Sequence, residues 1–377
     1  MTKNLVMTAA LALTLGTAAC STDSTDSTDA AVSTSTQDTV QERADAASET
    51  AHGLGSEIAS QVVEFVADED GGAAVYVMHE GVDHQIAAGA ANDAGDPLKP
   101  DQAFRVGSIS KSFVSVMVLQ MVDEGSVALD EPLSTYLPET TVGADTTIRD
   151  LLSHRSGLPN YTDQALFFVQ VASDPSHEYM PDEILADVAD AEPGPVGEYA
   201  YSNTNYVLLG QLVEAIDETD LNSALAARVT EPLGLSETFF ETAQTETPDN
   251  LVGGWSGFFL GGDPTEEFLS VASSSWAAGA LISTPQDLAV FLESLFADEL
   301  ISAEMLTEMT SDETYGFGIL PVVFSADSTG LGHGGAVPGY LSFMAIAPQT
   351  GDIVVALTNN DSLNADQLAA EIMPLLE

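Results

Sequence analysis

Apolar residues recur at helical spacing in "SEIASQVVEFVAD", where Ile58, Val62, Phe65 and Val66 share one face and predict a helix. The period then changes. "GAAVYVMHEG" and "HQIAAGA" read as two short strands joined by a turn at Gly81. Residues 108–124 are apolar almost all round and stop at Gly125, which predicts a buried helix with a glycine cap. From about 130 to 245 the pattern is mostly helix and loop, including "TIRDLLSH" and "NYVLLGQLVEAI", and "TPQDLAVFLESLF" at 284–296 is again helical. "YGFGILPVVF", "YLSFMAIAP" and "DIVVALTNN" then read as three strands, and "NADQLAAEIMPLLE" as a closing helix. Strands at both ends with helices between predict an α/β fold: an antiparallel sheet flanked by helices, built from both termini, with a mostly helical region inserted at about 108–270.

The N-terminal pattern is different in kind. Lys3, the apolar run Leu5–Leu15 and the small-residue exit "GTAAC" read residues 1–20 as a signal peptide, too short in its apolar part to remain as a membrane span. Cys20 directly after it resembles a bacterial lipoprotein site, where the thiol is lipidated, although Thr17 stands where a leucine is usual. Residues 21–52, with "STDSTDSTDAAVSTSTQDT", bury nothing and read as a flexible acidic tether, leaving 53–377 as the folded domain. The expectation is an exported protein held to the cell envelope through a lipid anchor only. Cys20 is also the single cysteine, so no disulfide can form within the chain.

Charge narrows the partners. The 377 residues carry 59 acids against 8 bases, a formal net charge of −51, spread from Asp23 to Glu377. Nucleic acid is excluded as a partner because no basic footprint exists to neutralise phosphates. A uniformly acidic surface points to a salt-adapted protein.

Three stretches carry candidate chemistry. In "VGSISKSF" Ser108 opens the buried helix, where free N–H groups favour a developing negative charge, and Lys111 follows three residues later on the same face. An N-capping serine with a solvated lysine would look the same, but an all-round apolar helix leaves Lys111 no face toward water. In "YAYSNTNY" Tyr201 and Asn203 precede a helix; a phenol can relay a proton and an amide can orient a lysine, while a simple turn with a capping Ser202 or Asn203 is the plain alternative. In "GLGHGGAVPGY" His333 is followed by Gly334 and Gly335, which permit close backbone approach by a substrate; a glycine-rich hairpin with an incidental histidine is the alternative.

Together, with "FRVGSISKSF", "IRDLLSHRSGLPNY", "YSNTNYVLLGQLVE", "EPLGLSETFF", "AAGALISTPQDLAVF" and "GHGGAVPGY", these motifs resemble the serine β-lactamase and penicillin-binding protein superfamily, in particular its class C β-lactamase and D-alanyl-D-alanine carboxypeptidase branch. The resemblance runs from about residue 60 to 375. It implies Ser108 as an acylated nucleophile, Lys111 and Tyr201 as the proton-handling pair, Asn203 as an orienting side chain, and His333 in the place of the third-motif Lys or His. By position it implies an oxyanion hole from the N–H groups of Ser108 and Ala336.

Other constellations fall away. No Gly-x-Ser-x-Gly or phosphate-binding glycine loop occurs, and His79 and His84 lack a third ligand for zinc, so neither metal nor cofactor is expected. His154 and Ser156 in "SHRSG" look like a pair, but the phrase they belong to resembles a structural loop. The expected substrate is a small molecule or short peptide, with ester, amide, D-Ala peptide and β-lactam all open; a non-catalytic member that binds cell-wall peptides or a partner is the rival reading. One departure favours neutral esters. The third motif has no hydroxyl and no Lys or Arg follows Arg228, so a substrate carboxylate would depend on a protonated His333, or on Arg105 or Arg149 entering the cleft.

Overall fold

The structure is a computed structural model that describes residues 53–243, 245, 247–256, 269–324 and 328–377. Cys20, the signal-like segment 1–20 and the tether 21–52 lie outside the described residues. Two strands, β1 (Gly72–His79) and β2 (Val82–Gly89), form a hairpin. Its two-residue turn has Glu80 and Gly81 both at positive φ, as the right-handed twist of paired strands favours. A small antiparallel sheet follows from β3 (Phe104–Arg105), β4 (Phe239–Phe240) and β5 (Leu281–Ser283), ordered β3-β5-β4. The chain then returns through β6 (Leu320–Val323), β7 (Thr329–Val337), β8 (Tyr340–Ala347) and β9 (Asp352–Thr358). These complete one antiparallel sheet in the order β2-β1-β9-β8-β7-β6, in which the first and last strands, β1 and β9, lie side by side.

The central strands are apolar without a break because both faces of the sheet are covered. Along β1, Ala73, Val75 and Val77 join one core while Ala74 and Tyr76 join the other; along β9, Val354 and Ala356 alternate with Ile353, Val355 and Leu357 in the same way. The first core is closed by α1 (Leu54–Phe65), through Ile58, Val62 and Val63, and by α6, the helix Ala365–Ile372. The second lies under the helical region: α2 (Ser110–Asp123), α3 (Ile148–Leu152), α4 (Asn203–Asp217) and α5 (Pro285–Phe296). Helix α5 lies back on the sheet and stacks Phe291 on Phe113 of α2, with ring centroids 3.8 Å apart. Phe113, Val114, Val116, Met117, Val118 and Leu119 of α2 are all fully buried, which is why its sequence shows no polar face.

Two expectations need correction. The run 315–324 is a strand only at Leu320–Val323, because Ser112 on α2 donates to Gly318 O at 2.5 Å and ties the preceding residues to the helix instead of to β7. The glycine-rich stretch at 330, absent from the three strands read there in the sequence, is itself most of strand β7, paired residue by residue with β8 from Leu331 to Val337.

Candidate active site

Ser108 sits in a 3₁₀ turn, Gly107–Ile109, between β3 and α2. The turn is pinned at both ends: Val106 N–H donates to Leu281 O at 2.9 Å, and Ser110 Oγ donates to Gly107 O at 2.7 Å. Strand β7 lies across it. A Cβ on Gly107 would meet Ala336 N at 2.7 Å, and one on Gly335 would meet Ser108 N at 3.0 Å, so only glycines allow these backbones to approach. Strand β6 pairs with Thr329–Gly332 alone, which leaves the edge of His333–Val337 open beside Ser108. The backbone segments carrying the N–H groups of Ser108 and Ala336 are therefore neighbours. Gly334 faces the other way, its missing Cβ 3.1 Å from Asp366 Oδ1 on α6.

Lys111 Nζ lies 3.0 Å from Ser108 Oγ and donates to Ala278 O at 2.7 Å. Its side chain is fully buried, and burial alone pushes the amine well below the ordinary lysine range. The Nζ atom also stands over the rings of Tyr201 and Tyr206, 5.0 and 5.5 Å from their centroids. Tyr201 Oη donates to Ser108 Oγ at 3.0 Å. Burial pushes its phenol up, against the opposing effect of that hydrogen bond, so the group stays protonated. Burial thus shifts each of the two groups flanking the serine hydroxyl toward its uncharged form.

Asn203 begins α4 but turns its amide elsewhere: Nδ2 donates to Thr162 Oγ1 at 3.3 Å, while its backbone N–H donates to Asn160 Oδ1 at 3.0 Å. The expected contact with Lys111 is taken by the Ala278 carbonyl, which no residue-type pattern announces. His333 is buried beside Tyr315, whose hydroxyl lies 2.9 Å from Nε2; Nδ1 donates to Gly334 O at 2.5 Å. With Nδ1 a donor to a carbonyl, neutral His333 must accept at Nε2, so Tyr315 is the donor there. Burial, helped by Lys111, lowers His333 to about 3. Tyr315 was missed because "YGFG" reads as the start of a strand. His154 and Ser156 are bonded to the Tyr201 segment and its helix, not to each other.

The arginines are committed elsewhere. Arg105 makes a two-pronged bond to Glu241 at 2.6 and 2.7 Å and donates to Tyr340 Oη, and Arg149 pairs with Asp130 and Glu308. Arg155 pairs with Asp312. A groove of about 870 Å³ between Tyr136–Val142 and α4 contains none of the residues around Ser108.

A serine hydroxyl, a buried amine whose proton is loosened, a phenol donor and two adjoining backbone segments with N–H groups make a site for acyl transfer. The class is serine hydrolase. The Beta-lactamase family model matches residues 58–373, and the chain belongs to that family. It is 26% identical to penicillin-binding protein 4 of Amycolatopsis lactamdurans over 76% of this chain and 80% of that one. It is 31% identical to esterase EstB of Burkholderia gladioli over 47% of this chain and 48% of that one. Among solved structures, the D-amino acid amidase from Ochrobactrum anthropi SV3 superposes with a TM-score of 0.75 at 26% identity, covering 86% of this chain and 97% of that one.

Proposed function

We propose that this hydrolase works through an acyl-enzyme at Ser108 and prefers neutral esters. The observation that carries the mechanism is the pair of 3.0 Å contacts made to Ser108 Oγ by Lys111 Nζ and Tyr201 Oη, both shifted toward their uncharged forms by burial. With the amine neutral, the serine proton can pass to Nζ as Oγ attacks the acyl carbon. The oxyanion of the tetrahedral intermediate is held by the N–H groups of Ser108 and Ala336. Tyr201 gives its proton to the departing alkoxide and regains one from the Lys111 ammonium, which leaves acyl-enzyme, alcohol and neutral groups. Water then attacks the acyl carbon, loses its proton to the same pair, and releases acid and free serine.

Among the described residues, the commitments of His333 and Arg105 support the substrate class. His333 has both ring nitrogens occupied and stays neutral to about pH 3, while Arg105 is bound to Glu241. A carboxylate entering this cleft would lose water without gaining a counter-charge. The likeness to an esterase fits this preference, and that to an amidase and a penicillin-binding protein keeps amides and D-Ala peptides as slower alternatives. Export, a lipid on Cys20 and activity in high salt belong to the same proposal and rest on the sequence. Intact mass after a fluorophosphonate, and separately after a penicillin, tests the core of it. A single adduct lost in Ser108→Ala supports the acyl-enzyme, and labelling that survives the substitution rejects it.

A further inference from the structure

His154 is held in a way that its loop does not require. It has φ +56°, a left-handed conformation that few residues with a side chain adopt, and it is fully buried. From there it grips the chain on both sides of Tyr201. Its carbonyl accepts from Ala200 N–H at 2.8 Å, and its Nδ1 accepts from Ser202 N–H at 3.1 Å. Its ring lies against the Tyr201 ring, with centroids 4.2 Å apart and planes inclined by 37°. Asn205 Nδ2, itself fixed through its Oδ1 by Ser156 Oγ at 2.7 Å, approaches the same Nδ1 at 3.1 Å.

Because a backbone N–H can only donate, Nδ1 carries no proton, and in the neutral ring the proton sits on Nε2. That Nε2 is buried and has no hydrogen-bond partner. A buried N–H without a partner loses its water and gains no acceptor in return, so this arrangement is a poor choice for stability alone. We infer that His154 is the positioning residue of Tyr201: its unprotonated Nδ1, its carbonyl and its ring together fix the phenol at its distance from Ser108 Oγ. This rests on the proton-handling role of Tyr201 proposed above. The position asks for a residue that tolerates left-handed backbone and offers an acceptor where Nδ1 stands, and asparagine offers both.

A double-mutant cycle on hydrolysis of p-nitrophenyl acetate in molar salt tests the inference, with folding checked by circular dichroism. In the otherwise unchanged enzyme, His154→Gln, which places its amide near Nε2 instead, should lower kcat about 10²-fold while KM moves less than about threefold. His154→Asn should recover to within about tenfold of the parent. In a Tyr201→Phe background His154→Gln should cost less than about threefold, because the group it positions is gone. An equal loss in both backgrounds, or Asn no better than Gln, overturns the inference and leaves the mechanism standing. Full activity of Tyr201→Phe itself overturns the mechanism, and the inference with it. If the Gln variant does not fold, His154→Asn in the two backgrounds decides: a larger loss with Tyr201 removed, or an equal one of more than tenfold, rejects positioning.

Discussion

Lys111 Nζ stands 3.0 Å from Ser108 Oγ in a site where the lysine's hydrogen-bond partners are a hydroxyl and the Ala278 carbonyl. Burial takes an ammonium there out of water, and among the described residues no carboxylate pairs with it, which is the physical reason its pKa falls. Function and stability therefore pull apart at this residue. Lys111→Ala should slow acylation by a fluorophosphonate about 10²–10⁴-fold. Lys111→Met, which fills the space without a charge to desolvate, should be equally inactive yet melt a few degrees higher. A melting point lowered by the methionine would mean that the lysine is charged and paired in the folded protein.

Much of this site was legible before any coordinates. The all-round apolar run after Ser108 gave Lys111 nowhere to go but inward, and the structure places it there with no exposure. The central strands were legible because two covered faces leave continuous apolar runs. Strand β7 was not, since glycine has little strand propensity of its own and the stretch owes its form to pairing with β8 and contact with the Ser108 turn. Tyr315 was hidden by a different cause: tertiary bonding to α2 broke a locally strand-like run. The Ala278 carbonyl leaves no trace at all in residue types. His154 carried a signal, its place in "SHRSG", but a bond from its ring to the backbone of Ser202, 48 positions on, depends on topology.

The buried histidines predict acid lability with a definite sign. Burial lowers His154 and His333, so both are neutral when folded, whereas the unfolded chain takes up their protons below about pH 6.5. Their contribution is fully present above that value and falls as the pH drops through it, by about 1.4 kcal/mol per pH unit for each histidine that charges only on unfolding. For His333 the fall ends near its folded value of about 3. Comparing wild type with His154→Asn in molar salt isolates one of them. The difference in unfolding free energy between pH 7 and pH 5 should be smaller in the variant, and an identical difference would show that His154 is protonated in both states or in neither.

Salt should act through the surface. A net charge of −51 on 377 residues repels itself in dilute buffer, while at about 1 M salt the Debye length is near 3 Å and that repulsion is largely screened. The negative field also favours the ammonium form of Lys111, so low salt should reduce both the melting temperature and the fraction of enzyme with a neutral base. Activity and melting temperature are expected to fall together on dialysis to roughly 10 mM salt. Unchanged values there would show that the acids are far enough apart, or sufficiently hydrated, to ignore one another.

Tyr315 donates to His333 Nε2 at 2.9 Å while His333 Nδ1 donates to Gly334 O at 2.5 Å, so both ring nitrogens have partners within the protein, and on the proposed reading the third motif does not receive a substrate carboxylate. The residues after it, Gly334, Gly335 and Ala336, bring no hydroxyl. Arg105 cannot help without abandoning Glu241, and Arg149 is spent on Asp130 and Glu308. Transfer of an unpaired carboxylate into such a cleft costs several kcal/mol, and a discrimination of 10²-fold needs less than 3 kcal/mol, so the effect is large enough to decide substrate preference. Two p-nitrophenyl esters with the same leaving group, the hexanoate and the adipate monoester, differ mainly in a terminal carboxylate too distant to attack its own ester readily, so the intrinsic reactivity of the two is similar. We expect kcat/KM for the hexanoate to exceed that for the adipate monoester by at least about 10²-fold at pH 7 in molar salt, where long-range repulsion from the acidic surface is screened. Turnover of nitrocefin and of a diacylated Lys-D-Ala-D-Ala peptide, both carrying carboxylates, should be weak for the same reason. Equal rates for the two esters, or efficient cleavage of the peptide, would mean that a cation reaches the cleft during turnover; the preference for neutral esters would then be wrong, and the acyl-enzyme at Ser108 would stand.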